Sequence, residues 1–410
     1  MSFAELWESL LPIGRDPGTG GYRRFSWTDA DLRCRDWFRA TAAARGLTVR
    51  ADRAGNLWAW WDTTPGAGPA PRARAVVTGS HLDSVPGGGA FDGPLGVVSA
   101  FAAIDTLRER GFEPARPVAV VAFTEEEGAR FGVACLGSRL LTGAISAAAA
   151  RGLRDADGVS LAAAMAACGG EPDGPGPDEE LPGQVAAFVE LHIEQGRQLA
   201  DLGAAIGIGE GIWPHGRWRF DFTGRADHAG TTALPDRRDP MLPFAATVLV
   251  ARQVAARHGA LSTFGKVRAV PGGVNAIPAG VRAWLDARAL DDGSLRRVVE
   301  EITAAADRAA ADHGVAAAVT RESFSPPVAF DPALRARLAA ALAGRAIKAP
   351  ALRTGAGHDA GVLAARIPTA MLFVRNPSGV SHAPQEHADA ADCETGVAAL
   401  AAVLEELAVA

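Results

Sequence analysis

Residues 78–92, TGSHLDSVPGGGAFD, place one histidine and two aspartates around a glycine-rich turn. The apolar run at 75–77 precedes them, as expected for a buried strand that ends near His81. Residues that follow strands in open α/β sheets line the crevice where ligands bind. We therefore interpret His81 and Asp92 as candidate metal ligands, and Asp83 as a hydrogen-bond partner that orients the His81 ring. A surface turn with incidental polar residues is the alternative for this stretch alone.

The 410-residue chain has the composition of a globular protein, with 48% hydrophobic and 21% charged residues. That length allows two domains, or one large domain with an insertion. A net charge of -6 argues against nucleic acid or an anionic membrane as a partner, so we expect a small-molecule ligand. The N-terminus lacks a signal-peptide pattern, and no apolar run reaches transmembrane length. Because the four cysteines have no CxxC spacing, we expect reduced thiols and a cytoplasmic location.

Polar residues also follow two other predicted strands. The strand at 117–123 runs into the carboxylates at 125–127, and the strand at 185–190 runs into His192. Three adjacent carboxylates at a buried strand end repel one another unless a cation is present. A predicted helix at 95–110 gives this part of the chain an alternating β and α order. An acidic surface turn and a structural histidine are the alternatives for these segments.

Three other segments have weaker patterns. Residues 1–46 are expected to be helical around a loop rich in glycine and arginine, and residues 47–62 to form a β-hairpin. Residues 143–183 are rich in alanine and glycine and end in an acidic, proline-containing stretch. There we expect one helix followed by a mobile loop.

The pattern changes near residue 211, where six elements follow in the order β-α-β-β-α-β. This order is typical of a ferredoxin-like α+β unit. We predict a first domain formed by residues 1–210 and 327–410, with an inserted domain at 211–326. The predicted fold class is α/β, a mixed and mostly parallel sheet flanked by helices, with an inserted α+β domain. The six elements are strands at 217–223, 265–270, 281–290 and 316–322 and helices at 240–258 and 295–313.

Six residues in loops outside the predicted insertion form a candidate site for a pair of metal ions. They combine imidazole nitrogens with carboxylate oxygens, the ligand types that borderline divalent metals accept. A bridging carboxylate offsets the charge of two dications, and a further carboxylate can act as a general base. Each residue alone is more often structural, but together they favour a metal site. The six are His81, Asp92, Glu126, Glu127, His192 and His382.

Nine motifs, in order over most of the chain, resemble the Zn-dependent hydantoinase/carbamoylase amidohydrolases of the di-metal peptidase and aminoacylase superfamily. The motifs are TGSHLDSV, GGGAFDGPLGV, EEEGARFG, ELHIEQG, DHAGTT, PGGVNAIP, DAR, GAGHDA and SHAPQE. The resemblance implies two divalent metal ions per subunit, Zn²⁺ with Mn²⁺ or Co²⁺ as alternatives. It implies that His81, Asp92 and His192 hold one ion, and that Asp92, Glu127 and His382 hold the other.

The same resemblance implies roles in catalysis and substrate binding. Glu126 would be the general acid/base, and His228 would stabilise the oxyanion in the partner subunit of a homodimer. The inserted domain would be a lid and dimerisation domain, in which Arg288 binds a substrate carboxylate through two hydrogen bonds. The other substrate-binding candidates are Gln195, Arg217, Asn275 and His358.

Two segments depart from the family pattern. Relatives commonly continue DHAGTT with Pro-Met, whereas this chain has Ala233 and Leu234. In WPHGRW, Gly216 occupies the position of a substrate-contacting arginine of some relatives, and His215 and Arg217 flank it. These departures leave the identity of the substrate open.

The resemblance implies hydrolysis of the terminal ureido C–N bond of a small ureido carboxylate. Allantoate is the first expectation, from the overall resemblance that includes the N-terminal IGRDPGTGGYRR segment. An N-carbamoyl-L-amino acid, or a substrate like that of β-ureidopropionase, is the alternative. A second interpretation is an aminoacylase or peptidase, but peptidases of the superfamily commonly have aspartate at the position of His192. A third is a non-catalytic metal-binding protein, against which the intact Glu126 argues.

Overall fold

The computed structural model describes residues 2–62, 74–169, 176–178 and 180–409, and the chain divides into two compact units. The first unit contains Met1–Gly211 and Ala329–Ala410, and the second contains Ile212–Val328. The acidic stretch that we expect to be mobile lies partly outside the described residues. No helix in the described part of the chain is long and apolar enough to cross a membrane.

The central strands of the first unit are apolar runs that are buried at every position. Val118–Phe123 and Thr369–Val374 are examples, and such continuous runs are typical of strands covered on both faces. In chain order the strands are β1 (Thr48–Ala51), β2 (Leu57–Trp61), β3 (Ala75–His81), β4 (Val118–Phe123), β5 (Val185–Ile193), β6 (Ile206–Ile212), β7 (His215–Thr223), β8 (Asp227–His228), β9 (Leu261–Val270), β10 (Ala276–Ile277), β11 (Gly280–Arg288), β12 (Ala316–Ser325), β13 (Val328–Ala329), β14 (Ala351–Thr354) and β15 (Thr369–Val374).

Several helices begin at a residue whose side chain caps the first turn. Ser2 and Glu5 form a capping box at the first helix, and Asp291 and Asp331 each accept a backbone N–H three residues later. In chain order the helices are α1 (Phe3–Leu10), α2 (Asp29–Ala43), α3 (Pro94–Glu109), α4 (Leu136–Thr142), α5 (Ala147–Arg151), α6 (Leu161–Ala167), α7 (Gln198–Leu202), α8 (Met241–Arg257), α9 (Asp292–Asp312), α10 (Pro332–Ala343), α11 (Asp359–Leu363) and α12 (Ala390–Ala408).

The sheet of the first unit has the strand order β1-β2-β4-β3-β5-β15-β6-β13, and β14 pairs with β6. The neighbours β4, β3, β5 and β15 are mutually parallel, whereas the pairs β1–β2, β2–β4 and β15–β6 are antiparallel. Phe101 of α3 and Leu400 of α12 belong to the same apolar core as Val120 and Leu191 of the sheet. Because the four parallel strands end at one edge, the residues that follow them are brought together there.

The second unit has a four-stranded antiparallel sheet in the order β12-β7-β11-β9. Buried and more exposed residues alternate along β7 and β11, so one face of this sheet is covered and the other is open. Phe220, Phe222 and Leu285 on the covered face form a core with Val254 of α8 and Ile302 of α9. The short strands β8 and β10 form a separate pair, with His228 opposite Ala276.

The structure corrects several boundaries of the sequence prediction. Strand β5 continues to Ile193, so His192 lies within the strand and not after it. Residues 143–183 contain the two short helices α5 and α6 where one helix was expected. The prediction missed β6, whose three glycines give it a low strand propensity, and α10, although Asp331 and Pro332 form a helix-start signal.

Candidate metal centre

Polar residues from four parallel strands, or from the loops that follow them, meet at one edge of the sheet in the first unit, which we call the metal edge. Strand β3 ends at His81, β5 carries His192, and the carboxylates at 125–127 follow β4. His81 is in register with Phe123, so the chain leaves β4 beside the imidazole. The loop after β15 carries His382. This convergence is the arrangement that the sequence pattern predicted for the carboxyl ends of the strands.

Asp92 lies between the candidate histidines. Its Oδ1 atom is 3.6 Å from Nε2 of His81 and 3.2 Å from Nε2 of His192. Its Oδ2 atom is 3.2 Å from Nε2 of His382, which is 3.6 Å from Oε2 of Glu127. The ligand atoms of each group, His81–Asp92–His192 and Asp92–Glu127–His382, lie within 4.8 Å of one another. Asp92 therefore faces both groups, with one oxygen for each.

Several atoms at the centre of this cluster are buried without a hydrogen-bond partner. Among the described residues they include Nε2 of His81, Nε2 of His192 and Oε1 of Glu127. An unsatisfied buried polar group costs roughly 1–3 kcal/mol, and more when it is charged. Imidazole nitrogens and carboxylate oxygens that face the same space are the donor set of borderline dications. These residues therefore fit two divalent metal ions.

Burial and mutual repulsion raise the pKa values of the carboxyl groups at this edge. Burial, and then repulsion by Asp359 and Glu127, hold the pKa of Glu126 well above its ordinary value. Burial and then Asp92 raise the pKa of Glu127 to about 7. The hydrogen bond to Asp92 raises the pKa of His382 to about 9. In the metal-free site, protons on these groups therefore offset part of the negative charge that two dications would offset.

Asp83 contacts two of the segments that form the site. The Nδ1 atom of His81 is 3.2 Å from the Asp83 carbonyl oxygen and 3.5 Å from its Oδ1 atom. The Asp83 carboxylate also accepts the backbone N–H groups of Glu126 and Glu127, each at 3.1 Å. Asp83 thus lies beside Nδ1 of His81, closer through its carbonyl oxygen than through its carboxylate, and its role in orienting the ring stays a prediction. It also holds the turn that carries the two glutamates, which the sequence did not indicate.

The three adjacent carboxylates have different neighbours. Glu125 has a left-handed backbone, with φ of 56°, and its Oε1 atom accepts the N–H groups of Arg130 at 2.8 Å and Phe131 at 2.7 Å. Glu126 has Oε1 at 3.2 Å from the Cys135 thiol, which donates to it, and Oε2 at 3.7 Å from Nε2 of His81. Glu125 therefore stabilises the following loop, and Glu126 is the carboxylate that can act at the metal edge.

A glycine outside the predicted turn allows the metal loop, the segment between β3 and α3 that carries Asp92, to pack closely on the His81 ring. The glycine-rich turn at 87–89 lies between His81 and Asp92 in the sequence. Gly93 is the residue that packs on the imidazole, because a Cβ atom there would lie 2.4 Å from the His81 ring, and its φ is 86°. Only glycine combines this conformation with this approach. Gly87 also has a positive φ, of 71°, so the predicted turn contributes as well.

Two predicted substrate-binding residues also lie at this edge. The Nε2 atom of Gln195 donates to Oδ2 of Asp92 at 2.7 Å. The buried ring of His358 lies 4.5 Å from that of His192, centroid to centroid. Burial, and then the positive charge of His192, lower the pKa of His358 well below its ordinary value, so its imidazole is neutral. Contact of either residue with a substrate stays a prediction.

The sequence pattern of Peptidase family M20/M25/M40 matches residues 77–406, a span that contains all six candidate metal-site residues. The chain belongs to this family. It is 38% identical over 401 residues to the N-carbamoyl-L-amino acid amidohydrolase of Geobacillus stearothermophilus, with 96% of each chain covered. It is 34% identical over 413 residues to the allantoate amidohydrolase of Escherichia coli (strain K12), with 99% of this chain and 98% of that chain covered.

Solved structures place this M20-family chain among the amidases. An amidase of the hydantoinase/carbamoylase family from Burkholderia vietnamiensis is 33% identical, with a TM-score of 0.87 over 100% of this chain and 98% of that chain. AtUAH in complex with (S)-hydroxyglycine is 30% identical, with a TM-score of 0.87 over 99% of this chain and 97% of that chain. These likenesses confirm the predicted family and α/β fold. They also confirm that the protein is a hydrolase of carbon–nitrogen bonds.

In the second unit of this amidohydrolase, His228 and Asn275 are neighbours. His228 lies opposite Ala276 in the β8–β10 pair, and the N–H of Ala229 donates to the Asn275 carbonyl at 3.0 Å. The exposed His228 ring accepts the N–H of Gly230 through Nδ1 at 2.9 Å. The motifs DHAGTT and PGGVNAIP, distant in sequence, thus form one structural element.

The two arginines that were predicted to bind substrate lie on the open face of the second unit's sheet. Arg288 is opposite His215, and it donates to the two oxygens of Asp286 at 2.8 and 3.3 Å. The Nε atom of Arg217 is 3.7 Å from the same carboxylate. Both arginines therefore contact a carboxylate of the protein, and their binding to substrate stays a prediction.

Two buried glutamates of this amidohydrolase received no role from the sequence. Glu386, in the motif SHAPQE, accepts the backbone N–H groups of Phe91 and Asp92, each at 2.9 Å. Glu190, in ELHIEQG, accepts the Ser80 hydroxyl at 2.7 Å and a backbone N–H of α11 at 3.0 Å. Their place in the motifs was the available signal, but spacing alone does not indicate which distant segment a carboxylate contacts.

Proposed function

We propose that this amidohydrolase cleaves the terminal ureido C–N bond of a small ureido carboxylate, using two divalent metal ions, Zn²⁺ with Mn²⁺ or Co²⁺ as alternatives. The observation that carries the proposal is the position of Asp92, whose two oxygens face different imidazoles. His81 and His192 would complete one metal position, and Glu127 and His382 the other. When bound, these ions would polarise the ureido carbonyl and activate water for attack.

Glu126 is the proposed general acid/base. Its Oε2 atom faces the metal edge, while the Cys135 thiol contacts Oε1. Burial holds its pKa well above the ordinary value, which favours the protonated form that returns a proton to the leaving nitrogen after the carboxylate has taken one from water. The C–N bond then breaks, ammonia leaves, and the carbamate that remains loses carbon dioxide.

Residues of the second unit would bind the carboxylate end of the substrate. Arg288 presents two N–H groups to the Asp286 carboxylate, which supports a capacity for two-pronged carboxylate binding. Asn275 and His228 would contact the substrate from the neighbouring motif pair, with His228 acting in the partner subunit of a homodimer. The second unit would close over the site as a lid and exclude water. The homodimer and the cytoplasmic location are part of this proposal.

Allantoate is the first candidate substrate. This expectation came in part from the N-terminal segment IGRDPGTGGYRR, which packs on the loop that carries Asp92. The N–H of Tyr22 donates to the Gly88 carbonyl at 3.0 Å, and the N–H of Gly87 donates to the Tyr22 carbonyl at 2.8 Å. An N-carbamoyl-L-amino acid is the second candidate, favoured by the 38% identity with the Geobacillus stearothermophilus enzyme. Both compounds present a ureido group and a carboxylate.

Ammonia release by metal-loaded protein would test the proposal. We expect turnover of allantoate or of an N-carbamoyl-L-amino acid, and the ratio of the two kcat/KM values would assign the substrate. Metal-stripped protein is the control for the role of the ions. An N-acetyl amino acid and a dipeptide test the aminoacylase and peptidase interpretation, and we expect neither to be cleaved. If the metal-loaded protein turned over neither ureido compound, the proposal would be wrong.

A further inference from the structure

Glu386 connects two of the three loops that carry ligands of the proposed second metal position. It is only 4% exposed, and its Oε1 atom accepts the backbone N–H groups of Phe91 and Asp92 at 2.9 Å each. Its Oε2 atom accepts the hydroxyl of Ser381 at 3.2 Å. Ser381 directly precedes His382, whose backbone is left-handed, with φ of 56°. One carboxylate therefore holds both the Asp92 loop and the His382 loop.

The chain is shaped to admit this carboxylate. A Cβ atom on Gly89 would lie 2.4 Å from Cβ and Oε1 of Glu386, so the metal loop can approach it this closely only with glycine at that position. Two adjacent N–H groups that share one carboxylate oxygen form a charge-assisted contact, which is stronger than a neutral hydrogen bond. The contact fixes the backbone of Asp92, and with it the directions of the two Asp92 oxygens.

The two proposed metal positions differ in how firmly their ligands are held. The His81 and His192 side chains are 1% and 0% exposed and lie on adjacent parallel strands. The His382 side chain is 49% exposed and lies in a loop, next to the Ser381 contact. Loss of the Glu386 carboxylate would therefore release the His382 side of the site, while the strands still hold the other side.

We propose that Glu386 is a positioning residue that selectively maintains the second metal position, formed by Asp92, Glu127 and His382. The inference rests on the two-metal site of the proposed function, but not on the identity of the substrate. Partners that orient metal ligands typically change metal affinity about 10- to 100-fold when they are removed. We expect that loss at the second position of the Glu386→Ala variant. The loss at the first position should be smaller, because Asp92 is shared but His81 and His192 are held by the strands.

Isothermal titration of metal-free protein with Co²⁺, together with the visible absorption of bound Co²⁺, would measure both positions. We expect two bound ions in the wild type. We expect one tight and one weakened ion in Glu386→Ala, and near-complete rescue in Glu386→Gln. The glutamine carbonyl can still accept both backbone N–H groups, and its NH₂ group can donate to the Ser381 hydroxyl.

Glu405→Ala is the control for loss of a carboxylate, because Glu405 lies on α12 and pairs with Arg345 at 2.6 Å. It should bind both ions as the wild type does. Ser381→Ala removes the contact to Oε2 of Glu386, and with it the contacts of the Ser381 hydroxyl to Oδ2 of Asp92 at 3.4 Å and to Nε2 of Gln195 at 3.2 Å. It should weaken the second ion by several-fold, and it tests the Ser381 side of the contact if Glu386→Ala does not fold. Circular dichroism of every variant establishes folding.

Equal weakening of both ions, or two ions bound at wild-type affinity in both Glu386→Ala and Ser381→Ala, would overturn the inference. So would a wild type that binds a single ion, which would also remove the two-metal basis of the proposed function. Selective loss of one ion in a protein that cleaves no ureido compound would support the inference and contradict the proposed function.

Discussion

The metal edge of the first unit and the open sheet face of the second use similar residues in different ways. At the metal edge, His81, His192 and Asp92 are nearly fully buried, and both imidazoles have an unpaired Nε2 atom within the described part of the chain. On the open face, the Asp221 carboxylate accepts hydrogen bonds from the guanidinium groups of Arg219 at 2.7 Å and Arg282 at 2.6 Å. The first set leaves imidazole nitrogens available to a cation, whereas the charges of the second offset one another.

Burial is the physical cause of this difference. Exposed ion pairs are screened by water and contribute only about 0–1 kcal/mol each, so arginines and aspartates on a half-exposed sheet need no further partner. Buried carboxylates without a cation pay a desolvation cost, which raises their pKa values or draws in a metal ion. Polar motifs alone therefore do not identify a metal site, and the burial of their side chains distinguishes the two regions.

The largest expected effect is the loss of the proposed general base at the metal edge. Glu126→Gln should lower kcat roughly 10²- to 10⁴-fold, because the amide cannot take a proton from water. Metal content should stay at two ions, since Glu126 belongs to neither ligand group. Glu125→Gln is the matched control, because its amide oxygen can still accept the N–H groups of Arg130 and Phe131. Activity of Glu126→Gln close to that of the control would contradict the assignment.

A smaller effect tests whether one pair on the open face of the second unit has a function. Arg288→Lys should raise KM for a ureido carboxylate roughly 10- to 100-fold, since lysine loses the two-pronged hydrogen bond to a carboxylate. Arg282→Lys is the control, because Arg282 is on the same strand and pairs with Asp221. Steady-state kinetics with both variants would measure KM and kcat. If Arg288→Lys and Arg282→Lys had the same KM, Arg288 would have only a structural role, as an ion-pair partner within the sheet.

The pH dependence of metal binding tests the electrostatics of the metal edge. The metal-free pKa of His382 is about 9 and that of Glu127 is about 7, so both are protonated at low pH, when metal must displace a proton from each. Affinity at the second position should rise about tenfold per pH unit between pH 7 and 9, and more steeply below pH 7. Titration calorimetry in buffers with different ionisation enthalpies would count the released protons. Affinity independent of pH over this range would contradict the prediction.

The smallest expected effect concerns the second unit, which should hardly respond to metal removal. Chelation should lower amide protection around β3, β5 and the loop of Asp92, because bound ions stabilise the folded first unit by mass action. Amides of β7, β11 and α9 should change little, since the charges of that sheet pair within the unit. Hydrogen exchange followed by mass spectrometry would compare the two units. Equal loss of protection in both would show that the metal ions stabilise the second unit as well.

The family, the pattern of polar residues at strand ends and the candidate ligands could all be predicted from the sequence. Apolar runs such as 117–123 indicated buried strands, and His81, Glu127 and His192 each lie at or just past such a run. These features are local, because a strand and the residue that follows it are read from a few adjacent positions. The β-α-β-β-α-β order of the second unit was readable from the sequence for the same reason.

Which of these residues lie together could be seen only in the folded protein. Three adjacent carboxylates look alike in sequence, but the left-handed backbone of Glu125 turns it toward the next loop and leaves Glu126 and Glu127 at the metal edge. The two directions of Asp92 depend on Glu386, which lies 294 residues away along the chain. Burial, an unpaired lone pair and a contact between distant loops are properties of packing, so no local pattern of residues specifies them.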